Sequence, residues 1–120
     1  MYQALRFTDS SFSNNYWQAY NALLEKLHIR FSSPYTKLSW QQRKNQILSI
    51  CKLKKHLHKF VIMDGSKPIG WLNFNFRNHG TKSQQISVAF DTLFNNIPND
   101  YSKFLAEVII GLLKKYDNKS

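Results

Sequence analysis

Apolar and polar residues alternate with two different periods along the chain. From Gln84 the order QQISVAF sets Ile86, Val88 and Phe90 on one side of an extended segment, the period of a half-buried strand. After a turn, Tyr101, Phe104, Leu105, Val108, Ile109, Leu112 and Tyr116 recur at the three-then-four spacing of one helical face. This strand and helix, within Gln84–Asp117, form the strongest periodic signal, and the helix needs a sheet beneath it because an isolated helix of this length is marginal in water.

Upstream, Tyr2 to Thr8 alternates modestly and predicts a short strand, followed by Asp9 and two serines as candidate helix caps. A first helix is predicted from Phe12 to about Leu27, with Tyr16, Trp17, Tyr20, Leu23, Leu24 and Leu27 at helical spacing and its aromatics in the core. Phe31 to Leu38 contains Ser-Ser-Pro and predicts a loop. Ser39 can cap a second helix from Trp40, with Ile47, Leu48 and Cys51 facing inward and Gln41, Gln42, Arg43 and Lys44 outward.

Phe60–Met63 and Ile69–Phe76 read as strands joined by Asp64-Gly65-Ser66-Lys67, a hairpin whose turn needs a residue tolerant of positive φ. Pro68 falls at the second strand's entrance. Strict alternation there groups Gly70, Leu72, Phe74 and Phe76 on one face and Ile69, Trp71, Asn73 and Asn75 on the other. Arg77–Ser83 is a polar connection containing Gly80. The order is β-α-α-β-β-β-α, an α+β fold with a mainly antiparallel four-stranded sheet and three helices in one domain spanning residues 1–120.

Composition sharpens the functional reading. Seventeen Lys and Arg against seven Asp and Glu give a net charge of +10, which favours anionic partners. The densest basic run is CKLKKHLHK, Cys51 to Lys59. It reads first as a solvated helix end whose cations suit the negative pole of the helix dipole. Its second reading is an anion patch of Lys52, Lys54, Lys55 and Lys59, part of a nucleic-acid-binding module in which Trp71 could stack on bases. His56 and His58 form a pair without further ligands at suitable spacing, so no metal site is expected. One cysteine, Cys51, excludes an intrachain disulfide and leads to the expectation of a reducing, cytoplasmic location. No apolar run reaches the roughly 18 residues of a membrane span, and no membrane association is expected.

The hairpin FVIMDGSKPIGWLNF, with Ile69-Gly70-Trp71 in its second strand, set in this order of elements, resembles the front half of the GCN5-related N-acetyltransferase (GNAT) superfamily. The resemblance implies that the strand and helix from Gln84 to Asp117 are the pair that grips acetyl coenzyme A. It would place Val88, Ala89, Phe90 and Asp91 along the cofactor's pantetheine arm. The family's Arg/Gln-x-x-Gly-x-Gly/Ala turn, whose backbone amides receive the diphosphate, corresponds here to Phe94-Asn95-Asn96-Ile97-Pro98-Asn99-Asp100-Tyr101. That stretch contains no glycine, Pro98 has no N–H to donate, and Asp100 sets a carboxylate near the diphosphate position. Asn99 or Asp100 reads instead as an N-cap.

The family continues into further strands that complete the acyl site, whereas this sequence ends at Ser120, after the third helix. Asp91 is the single acidic candidate for a general base on the fourth strand, and its position suits a turn better. The expectation is a degenerate, non-catalytic acetyltransferase-like domain without a bound cofactor. It would pair with a second copy, or with a partner domain, through the open edge at Ile86–Phe90. The alternative is an acetyl-coenzyme-A-dependent N-acyltransferase completed by a partner chain.

Overall fold

The computed structural model describes residues 1–78 and 80–117, without the side chains of 116 and 117. Tyr116, expected on the apolar helical face, therefore has a side chain outside the described residues. The elements follow the predicted order: β1 (Tyr2–Arg6), α1 (Asn14–Phe31), α2 (Trp40–Leu53), β2 (Leu57–Asp64), β3 (Lys67–Arg77), β4 (Gln85–Thr92) and α3 (Asn99–Asp117). The strands form one antiparallel sheet in the order β1-β2-β3-β4. Among the described residues, no helix is long and apolar enough to cross a membrane.

Two helices cover one face of the sheet. Trp17, Tyr20, Leu23 and Leu27 of α1 and Ile47 of α2 bury against Phe7, Val61 and Met63. The start of α1 is fixed by packing rather than by a polar cap, because the Ser13 side chain makes no capping bond. Phe12 just before it lies 5.0 Å from Trp17, centroid to centroid, in the geometry of a hydrophobic staple. Phe12 thus lies outside the helix that was predicted to begin there. At α2 the expected cap forms: Ser39 Oγ accepts from the Gln42 amide, and Gln42 Oε1 accepts from the Ser39 amide.

Arg43 departs from the outward position given by its neighbours. It is buried and donates to the Thr36 carbonyl, to Asn21 Oδ1 and to Gln46 Oε1, with its guanidinium over the Tyr35 ring. The side chain ties the loop between α1 and α2 to both helices, and its hydrogen bonds offset the cost of burying the charge.

α3 lies on the opposite face. Tyr101 and Leu105 bury against Phe60, Ile62 and Leu72, with Tyr2 and Ala4 of β1 at the margin, and Ile109, Leu112 and Leu113 pack on Phe74 and Phe76. Ile69, assigned by alternation to the other face, belongs to this core. The β2–β3 register slips there, pairing Ile62 with Gly70 but Met63 with Pro68. The extra residue of this bulge breaks the period of two. The hairpin turn closes between Asp64 and Lys67, with Gly65 at φ +61.

Gly70 lies under a close approach of chain. A Cβ there would sit 2.5 Å from the Asp91 carbonyl oxygen and 2.6 Å from the Tyr101 hydroxyl, too near for either to remain in place. Gly70→Ala is expected to lower stability by about 1–3 kcal/mol through overpacking. Gly111→Ala, where a Cβ meets nothing within 4 Å inside α3, is expected to raise it by up to about 1 kcal/mol. Urea denaturation of the two variants checks both signs.

Burial pushes the hydroxyls of Tyr20 and Tyr101 up to about 12. Because the folded state holds these protons more tightly than the unfolded chain, their contribution to stability is complete below pH 10. It is lost as pH rises towards 12. A spectrophotometric titration is expected to find that Tyr20 and Tyr101 ionise late, together with declining stability over that window.

Candidate functional site

β4 is an edge strand of the described sheet, and its two faces differ chemically. Gln85, Ser87, Ala89 and Asp91 alternate with Ile86, Val88 and Phe90. The apolar three pair with Phe76, Phe74 and Leu72 of β3, so they belong to the α3 side of the sheet. Their partners on β3 are buried, yet Ile86, Val88 and Phe90 are 47%, 41% and 48% exposed. Between β4 and α3 runs an apolar groove of about 260 Å³ lined by Val88, Phe90, Ile97, Leu105, Ala106 and Ile109, with Ser102 contributing the hydroxyl.

The four residues expected along a cofactor are therefore gathered on this edge but split between its faces. Val88 and Phe90 line the groove, whereas Ala89 and Asp91 lie on the polar face. The Asp91 carboxylate accepts from Ser33 Oγ in the loop after α1 and from the Thr92 amide. Oδ2 thereby holds that loop against the end of β4 while Oδ1 takes the amide of the next residue, a structural role for the candidate base.

In the turn from β4 to α3, the amides are used internally. Leu93 N donates to the Ile69 carbonyl at 2.9 Å and Phe94 N donates to Thr92 Oγ1 at 3.3 Å. Thr92 Oγ1 itself donates to the Ile69 carbonyl. At the helix start, Tyr101 N and Ser102 N both donate to the Pro98 carbonyl at 3.1 Å. Asn99 and Asp100 accordingly lie inside the first turn instead of capping it. Asp100 suits the positive pole of the helix there and accepts from the Tyr2 hydroxyl.

The basic run is divided among elements. Lys52 is on the last turn of α2, Lys54 is its C-cap, Lys55 and His56 form the turn, and His58 and Lys59 are already in β2, which starts three residues earlier than predicted. Lys52, Lys54 and Lys55 are exposed. Lys59 is half-buried, with its amine held below the ordinary lysine range by burial. It donates to the Asn73 amide oxygen at 3.0 Å when that amide is oriented to satisfy both its partners. Trp71, expected as a base-stacking surface, is half-buried against the α1–α2 core. Among the described residues, no group of three or more His, Cys, Asp and Glu side chains could hold a metal ion.

Lys54 and Lys55 open onto a cleft of about 720 Å³, shared with His56, Asn75, Arg77 and Gln85. Arg77 and Gln85 escape a reading of the basic run because they enter through the sheet. Arg77 pairs with Gln85 across β3 and β4, and Phe76 N donates to the His56 carbonyl. Only the strand register, which sequence spacing does not give, carries that information.

Comparison of the chain with protein-family models, curated proteins and solved structures returns no match. The acetyltransferase likeness therefore rests on the order of elements and on the hairpin.

Proposed function

We propose that this chain is a non-catalytic interaction module of acetyltransferase-like architecture that pairs with a second copy of itself through β4. The observation that carries the reading is the exposed Ile86-Val88-Phe90 row on an edge strand, beside a groove that α3 leaves unfilled. β4 has no Lys, Arg or Pro, the residues that commonly guard such edges against pairing.

The pattern is also self-complementary. In an antiparallel pair centred on Val88, Ile86 of each copy faces Phe90 of the other, Val88 faces Val88, and Gln85 faces Asp91. A two-fold axis normal to the sheet keeps all three apolar pairs on one face, so the groove of each copy adjoins that of the other. The two sheets would become one of eight strands. The net charge of +10 on each copy opposes association. The pairing strand itself contributes no cation to that repulsion. The non-catalytic part of the reading is supported by the turn, whose amides at Leu93 and Phe94 are committed within the chain, and by Asp91, engaged by Ser33.

Sedimentation velocity over a micromolar concentration series is expected to give a monomer–dimer equilibrium. Val88→Lys, which puts a charge in the middle of the row, is expected to leave a folded monomer whose thermal midpoint is independent of concentration and close to that of the dilute, dissociated wild type. A wild-type chain that stays monomeric throughout, or a Val88→Lys dimer as tight as wild type, would contradict the proposal. Pairing only when a different polypeptide is added would assign the edge to another partner.

A further inference from the structure

A second surface lies at the Gln85 end of β4, and its cations take no part in the pairing of β4, with which it shares Gln85 alone. The cleft lined by Lys54, Lys55 and Arg77 lies where the end of α2, the start of β2, the end of β3 and the start of β4 converge. From Lys26 through Met63 the chain has no acidic residue, and from Gly65 through Phe90 it again has none. Asp64 is at the far end of β2, Asp91 is near the far end of β4, and β3 carries no acid. An eight-residue strand is about 26 Å long, and the screening length at physiological salt is about 8 Å. Within one copy, the acids on these strands therefore do little to neutralise the cations at the cleft.

We infer that this cleft binds single-stranded nucleic acid through its sugar–phosphate backbone. Three long, exposed cations around an open recess gain little from one small anion in water. Successive phosphates of one strand engage them together and release condensed counterions. A recess lined by cations follows the flexible backbone of a single strand more closely than the stiff, convex surface of a duplex. Asn75 and Gln85 add amide donors and acceptors within the same walls. With Phe76 buried and Trp71 facing the other core, no large stacking platform accompanies the cations among the described residues. The contact is accordingly electrostatic and tolerant of base sequence.

The test is fluorescence anisotropy of a short labelled oligouridine with the full chain across a salt series. Neutralising three phosphates predicts a slope of log affinity against log salt of about −2. The triple variant Lys54→Glu, Lys55→Glu, Arg77→Glu is expected to lose at least tenfold in affinity and to flatten that slope. The milder Lys54→Gln, Lys55→Gln pair is expected to lose part of each, which keeps the test sound if charge reversal perturbs folding. A control with the same change in net charge elsewhere, Lys26→Glu, Lys37→Glu, Lys114→Glu, is expected to retain a near wild-type slope. Equal losses in the control, affinity insensitive to salt, or binding to phosphatidylserine vesicles without binding to the oligonucleotide would each overturn the inference. The Val88→Lys background separates this result from the pairing of β4.

Discussion

One helix is not wide enough for four strands. An α-helix with its side chains is about 10–12 Å across, while four strand axes spaced about 4.8 Å apart span about 14 Å before side-chain width is counted. On one face α1 and α2 divide the task, with Phe7, Val61 and Met63 sealed beneath them. On the other, α3 works alone among the described residues and lies over β1, β2 and β3. The apolar side chains of β4 are the remainder of that mismatch. Their exposure follows from the width of the sheet and is not a local packing fault.

The same geometry explains why β4 is held firmly although it is poorly covered. Its inner edge is paired with β3 along its whole length, from Gln85↔Arg77 to Thr92↔Gly70. Its last residues are anchored from both sides. Asp91 receives Ser33 from the loop after α1, and Thr92 donates to Ile69 in β3. Tyr101 at the head of α3 reaches under Gly70, where the absence of a Cβ allows the approach. A strand fixed in this way presents its outer edge and apolar row in a defined conformation. Preorganisation of this kind lowers the entropy lost on association.

The element order and the strand alternation were legible in the sequence because amphipathic periods, the Ser39 cap and the Gly65 turn are local signals. Three features were not. Arg43 is charged and sits on a polar stretch of α2, and its burial depends on acceptors supplied by Thr36 and Asn21. Ile69 changes face because of a register slip, and the neighbouring Pro68, which suits a strand entrance as well as a bulge, does not distinguish the two. The cationic cleft needs Arg77 beside Lys54 and Lys55, more than twenty residues away in sequence and joined through strand pairing. The first and third depend on contacts between segments well apart in sequence, and the second on how the two strands of one hairpin pair. The edge at Ile86–Phe90, by contrast, was visible as an alternating strand at the end of the predicted sheet, and its position there made it the candidate site.

The central claim is that the outer edge of β4 is a pairing surface for a second copy. Hydrogen exchange measured amide by amide at low and high protein concentration addresses it most directly, because pairing would protect the outward-pointing N–H groups of residues 85–92. The account predicts protection in that segment that grows with concentration while the edge of β1 exchanges at a constant rate. Exchange along β4 that is fast and independent of concentration would contradict it.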